Sequence, residues 1–134
     1  MTASLQRTSV DRAPTRIVVV DDDQGVRGAL DRLLRATGFE VRTYPSAEEF
    51  LSASPPDDLD CLVLDVYLGG MNGIDLYAKL CTRGHAPPTV FMTAHDDAKV
   101  TAVRLRSEAV ICLRKPFEDR SLLAAIDAVG EMGR

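Results

Sequence analysis

The chain has 134 residues, enough for one domain and too few for two. An apolar share of 46% can fill a core without disulfide or metal staples, and no apolar run approaches the roughly 18 residues of a membrane span. Lys+Arg 16 against Asp+Glu 20 leave a net charge of −4, which argues against a nucleic-acid binder held by phosphate contacts.

In chain order, residues 1–14 are polar, aperiodic and end at Pro14, which predicts a flexible N-terminal tail without the apolar stretch of a secretory signal. Ile17–Val20 is a β-branched run of strand length. Val26, Ala29, Leu30, Leu33 and Leu34 then follow helical spacing, with Arg27, Asp31, Arg32 and Arg35 on the opposite face. Asp23 stands at the N-cap and Gly38 past the C-terminus. Phe39–Tyr44 predicts a second strand, followed by a short helix capped by Ser46 that turns Ala47, Phe50 and Leu51 inward. Leu59–Leu64 predicts the third strand, and Ile74, Tyr77, Ala78 and Cys81 the inward stripe of a helix closed by Gly84. Thr89–Met92 and Val110–Leu113 predict the last two strands, separated by a less regular helical segment over 97–107. Leu122, Leu123, Ile126 and Val129 mark a final helix, with a short tail over 131–134. The three cysteines, Cys61, Cys81 and Cys112, read as small core residues of a protein in the reducing cytoplasm.

Strand and helix alternate five times, so the expected fold is α/β: a five-stranded parallel sheet with helices on both faces, over residues 15–130. Parallel strands all end on one edge, and ligands bind there, where the strand order reverses. The predicted strand ends carry chemistry. Asp21-Asp22-Asp23 follows the first run, Asp65 the third, Thr93 the fourth and Arg114-Lys115-Pro116 the fifth. If the order is 2-1-3-4-5, Asp21, Asp22 and Asp65 share one crevice, with Thr93 and Lys115 on its far side. Carboxylates so close repel unless a cation joins them, and a few oxygen ligands with open positions suit Mg2+. His85 and His95 pair with no cysteine, which argues against zinc. A hydroxyl and an ammonium facing a metal-bound carboxylate are parts that hold a phosphoryl group. A carboxylate nucleophile there would yield an aspartyl phosphate. Read singly, Asp23 remains an N-cap, Thr93 a strand end and Lys115 a turn lysine; their joint order points to a site.

The stretches IVVVDDD (17–23), LVLDVYLGGMNG (62–73), VFMTAHDD (90–97) and LRKPFE (113–118) resemble the receiver (CheY-like) domain of bacterial two-component response regulators, of the FixJ-like and NtrC-like types. The resemblance implies a doubly wound, flavodoxin-like fold of order 2-1-3-4-5. It implies that Asp65 accepts a phosphoryl group from a sensor histidine kinase or histidine phosphotransfer protein. Asp22, Asp65 and the Tyr67 backbone carbonyl would bind Mg2+, Asp21 would hold a metal-bound water, Thr93 would contact the phosphoryl group, and Lys115 would pair with Asp65. It implies a cis Lys115–Pro116 bond, with Tyr67 and His95 tuning hydrolysis. Output would pass to a downstream protein through the surface of the fourth helical segment, fifth strand and last helix, which also admits a homodimer.

Three positions depart from the family pattern. Cys112 replaces the usual aromatic switch residue, Gly69 a proline, and Glu108 a glycine. The first removes a ring that could swing, and the Gly69-Gly70 pair implies a freer loop. The chemistry amounts to self-catalysed phosphorylation and dephosphorylation, without turnover of a separate substrate. A phosphatase of the haloacid dehalogenase type would need Asp at position 67 and a cap domain; an adaptor that binds without phosphorylation is the other alternative. The sequence predicts no DNA-binding module after residue 130 and neither nucleic acid nor membrane as partner.

Overall fold

Ile17, Val18, Val19 and Val20 are all β-branched, favour extended backbone, and leave no polar face. A strand of this kind must be covered on both sides. In the computed structural model, which describes residues 15–53, 58–84, 86–94, 101 and 109–132, it is β1 (Arg16–Val20), one strand in from the edge of a five-stranded parallel sheet. The others are β2 (Glu40–Tyr44), β3 (Cys61–Asp65), β4 (Thr89–Thr93) and β5 (Val110–Arg114), in the order β2-β1-β3-β4-β5. Every residue of β3 and β4 is buried, whereas β2, at the edge, buries Val41 between exposed Glu40 and Arg42.

Helices α1 (Gln24–Thr37), α2 (Ala47–Ser52), α3 (Gly73–Thr82) and α4 (Asp119–Met132) complete the described elements. Side chains alternate across the strands, so the core divides into two layers. Val18, Val20, Leu62, Leu64 and Phe91 meet Ala47 and Phe50 of α2 and Leu76, Tyr77 and Leu80 of α3 on one face. Ile17, Val19, Cys61, Val63, Val90 and Met92 meet Leu30 and Leu34 of α1 and Leu122, Ala125, Ile126 and Val129 of α4 on the other. Asp23 caps α1 by accepting the Val26 N–H, Ser46 caps α2 by accepting the Glu49 N–H, and Gly38 takes the left-handed conformation (φ 106°) that closes α1.

The structure corrects several expectations. In α3 the inward face is Gly73, Leu76, Tyr77 and Leu80, and Ala78 and Cys81 are exposed. Gly73 sets this rotation. Its N–H donates to the Val66 carbonyl at 2.9 Å, and an added Cβ would lie 2.3 Å from the Asp65 carbonyl oxygen. The helix therefore enters with that face against the end of β3, and Cys81 points away from the core. Cys61 is buried, with its thiol pushed up to about 12 chiefly by burial, and Cys112 is half-buried. Ala29 of α1 is exposed, while Arg27 turns back toward the sheet edge. Helix α4 runs to Met132, two residues into the expected tail, because buried Val129 still anchors its last turn. The expected helix over 97–107 lies, apart from Thr101, outside the described residues, as do residues 1–14 and Glu108.

Because the backbone of β3 occupies the space a side chain at position 73 would need, Gly73→Ala should cost about 1–3 kcal/mol by overpacking. Urea unfolding measures this; stability equal to the wild type would show that the close approach is not required.

Candidate functional site

Parallel pairing carries the C-terminal ends of β1, β3, β4 and β5 to one edge, with Val20 level with Leu64, Asp65 with Met92 and Thr93 with Arg114. The residues at and just past these ends converge. Asp21 is fully buried, Asp65 is 7% exposed and Asp22 is exposed. One carboxylate oxygen from each lies within 4.8 Å of the others. Lys115 comes from the far side, its Nζ 3.3 Å from Asp21 Oδ2 and 3.4 Å from Asp65 Oδ2. Its backbone N–H donates to the Thr93 carbonyl at 2.7 Å, tying the β4 and β5 ends together, and the Lys115–Pro116 peptide is cis. Thr93 is buried, 3% exposed, at the end of β4.

Two loops fix the acids. The Asp23 N–H donates to Asp21 Oδ1 at 2.9 Å, and the Tyr67 N–H to Asp65 Oδ1 at 3.2 Å. Tyr67 itself is 52% exposed. Arg27 reaches from α1 to donate to the Asp21 carbonyl oxygen at 2.8 Å, which holds the β1–α1 turn over the site. Sequence periodicity had placed Arg27 on the outer face of α1; only its length, enough to fold back over one helical turn, hinted at this contact.

Charge is unbalanced here, since one ammonium faces three carboxylates. Burial, and next the charge of Asp21, push the Asp65 carboxyl up to about 6, and Lys115 and the Tyr67 N–H offset only part of this. On Lys115, burial pulls down, but the Asp65 and Asp21 charges outweigh it and hold the ammonium above its ordinary value. An added cation would relieve this imbalance. Among the described residues the donor set is all carboxylate oxygen, without His or Cys, which fits a hard divalent ion.

The arrangement thus brings together Asp21, Asp22, Asp65 and Lys115, and sets Thr93 beside them on the next strand end. Cys112 stands in β5 opposite Phe91 and packs against the α2–α3 layer, three residues before Lys115. His95 lies outside the described residues. Gly73 has no role in the sequence analysis, and Arg27 stands there only on the outer helical face. A glycine inside a first helical turn, where no left-handed backbone is needed, was the available signal for the first.

The family model for the response regulator receiver domain matches residues 17–127. Nodulation protein W of Bradyrhizobium diazoefficiens is 40% identical over 118 residues, which cover 88% of this chain and 52% of that protein. The transcriptional regulatory protein FixJ of Azorhizobium caulinodans is 37% identical over 110 residues, covering 82% and 52%. Among solved structures, a response regulator receiver protein from Burkholderia phymatum is 43% identical with a TM-score of 0.73, covering 89% of this chain and 96% of that one. The chain spans about half the length of the curated relatives it matches. Receiver domains bind Mg2+ in general, work with histidine kinases, and act as signalling domains and not as turnover enzymes. Among the described residues no helix is long and apolar enough to cross a membrane. With four strand ends gathered at one acidic edge, and with the family match covering nearly the whole folded region, this chain belongs to the receiver domains of two-component response regulators.

Proposed function

We propose that Asp65 accepts a phosphoryl group from a phosphohistidine on a sensor histidine kinase or a histidine phosphotransfer protein, in a reaction that requires Mg2+. The observation that carries this reading is the shared ammonium: Lys115 lies 3.3 Å from Asp21 and 3.4 Å from Asp65, so the central carboxylate is oriented yet not neutralised. Asp65 attacks phosphorus, the P–N bond to the donor imidazole breaks, and histidine leaves with its electron pair. Water later attacks the acyl phosphate, restoring the carboxylate and releasing inorganic phosphate. Asp22, Asp65 and the Tyr67 backbone carbonyl would hold the ion, with Asp21 acting on it from further out. Once bound, Mg2+ supplies charge neutralisation for the phosphoryl oxygens. Lys115 passes from pairing with the carboxylate to pairing with the phosphoryl group, and the Thr93 hydroxyl donates to it. The phosphorylated domain signals to a downstream protein through β5, α4 and the 97–107 segment. Cys61, Cys81 and Cys112 form no disulfide with one another, which supports a cytoplasmic setting.

Cys112 has no ring to swing toward Thr93, so the change passes through the β4–β5 strand ends tied by the Lys115 N–H bond. An adaptor that never takes up phosphate is the competing reading, because of Cys112 and Gly69. Incubation with Mg2+ and acetyl phosphate, followed by intact mass, separates the two. The wild type should gain the mass of one phosphoryl group, and neither Asp65→Asn nor Mg2+-depleted wild type should gain it. An unmodified wild type refutes the proposal.

The raised carboxyl also makes a stability prediction. Between 3.8 and about 6 the folded state binds more protons at Asp65 than the unfolded chain, so this group's contribution is present in acid and is lost as pH rises through about 6. In Mg2+-free buffer at pH 7, Asp65→Asn should therefore be more stable than the wild type by about 1–3 kcal/mol, with the gain gone below about pH 4. Added Mg2+ should raise the Tm of the wild type and leave the variant nearly unchanged. A pH-independent difference would show that Asp65 carries no such cost.

Tyr67 stands two residues past Asp65 with an exposed ring. We expect the ring to shield the phosphoryl group from water, so Tyr67→Ala should shorten the phosphorylated lifetime. Unchanged or slower decay of the labelled protein would reject this role.

A further inference from the structure

The β3–α3 loop, residues 66–72, leaves the sheet at Asp65 and contains adjacent glycines, Gly69 and Gly70. Its ends are closed by backbone bonds, Val66 N–H to the Met92 carbonyl at 3.0 Å and Gly73 N–H to the Val66 carbonyl at 2.9 Å, and Val66 and Leu68 are buried. The middle is held from another element. Glu48, in the first turn of α2, accepts the Met71 N–H on Oε2 at 3.0 Å, across 23 residues of sequence. The same carboxylate lies over Gly70, where an added Cβ would meet Oε2 at 2.7 Å and where φ is +78°. Position 70 thus suits glycine twice, in backbone conformation and in the space given to Glu48. The Met71 bond, with a second one from Glu48's own N–H, holds the Glu48 carboxyl below its ordinary value.

Two consecutive glycines lose more backbone freedom on ordering than other residues would. A loop built with them keeps one geometry only if contacts outweigh that loss. Glu48 supplies a charged acceptor for Met71, past the two glycines, where no sheet bond reaches. We infer that Glu48 is a positioning residue: by accepting the Met71 N–H it fixes the loop that sets Tyr67 beside Asp65. This rests on the proposed roles of Asp65 and of the Tyr67 carbonyl. Glu48 touches neither phosphoryl group nor ion; it acts through the loop.

The test compares Glu48→Ala and Glu48→Gln with the wild type in the full chain, by amide hydrogen exchange at Met71 without metal and by titration with Mg2+ alone followed by NMR. Glu48→Ala should speed Met71 exchange and weaken Mg2+ binding, each by about threefold to tenfold, the range set by one lost hydrogen bond. Amides of α1 and α4 should keep their protection. Glutamine keeps an oxygen that accepts the same N–H, so Glu48→Gln should restore both readouts to within about twofold of the wild type. Wild-type values in Glu48→Ala, or glutamine behaving as alanine, would overturn the inference while the wild type still binds Mg2+ and takes up phosphate. A wild type that does neither overturns instead the reading of Asp65 on which it rests.

Discussion

The site is organised around one ammonium shared by two buried carboxylates. Lys115 cannot neutralise both Asp21 and Asp65, and Asp22 adds a third negative charge within reach. An apolar interior would favour removing such a cluster, since desolvated charges cost several kcal/mol unless compensated. It persists because the parallel sheet fixes where strands end, and because the two core layers on either side hold those ends in place. The domain therefore keeps, at the edge where its strands end, a set of charges that is incomplete by itself. Incompleteness of this kind gives a divalent cation something to stabilise.

Rigidity around the acids comes from short, unlike devices. Asp21 is held by the Asp23 N–H and, through its carbonyl, by Arg27; Asp65 is held by the Tyr67 N–H. Gly73 presses the start of α3 against the Asp65 backbone, and the Tyr77–Phe91 edge-to-face contact, with centroids 5.6 Å apart, seats the next turn of that helix on β4. The β4 and β5 ends share the Lys115-to-Thr93 backbone bond.

Much of this was legible in the chain. Continuous β-branched or apolar runs of strand length, separated by segments of helical period, specify a parallel sheet, because such strands need cover on both faces. The acids, threonine and lysine stood out because each followed a predicted strand, and strand ends in this topology share an edge. The helical faces were read less well. In α3 the stripe drawn through Ala78 and Cys81 missed Leu76 and Leu80, since a helix with apolar residues on adjacent faces has no single period-based answer. The structure resolves it through Gly73, whose lack of a side chain matters only once β3 lies beside it.

What the sequence by itself determined was therefore the alternation, the cover on both faces, and the chemistry at each strand end, all carried by local periodicity and residue type. The tertiary structure alone decided the distances, the protonation bias of Asp65, and the reach of Arg27 and Glu48. The physical reason is that burial and Coulomb interaction depend on separation in space. Lys115 and Asp21 are 94 residues apart in sequence and 3.3 Å apart in the fold, and no pattern along the chain encodes that distance.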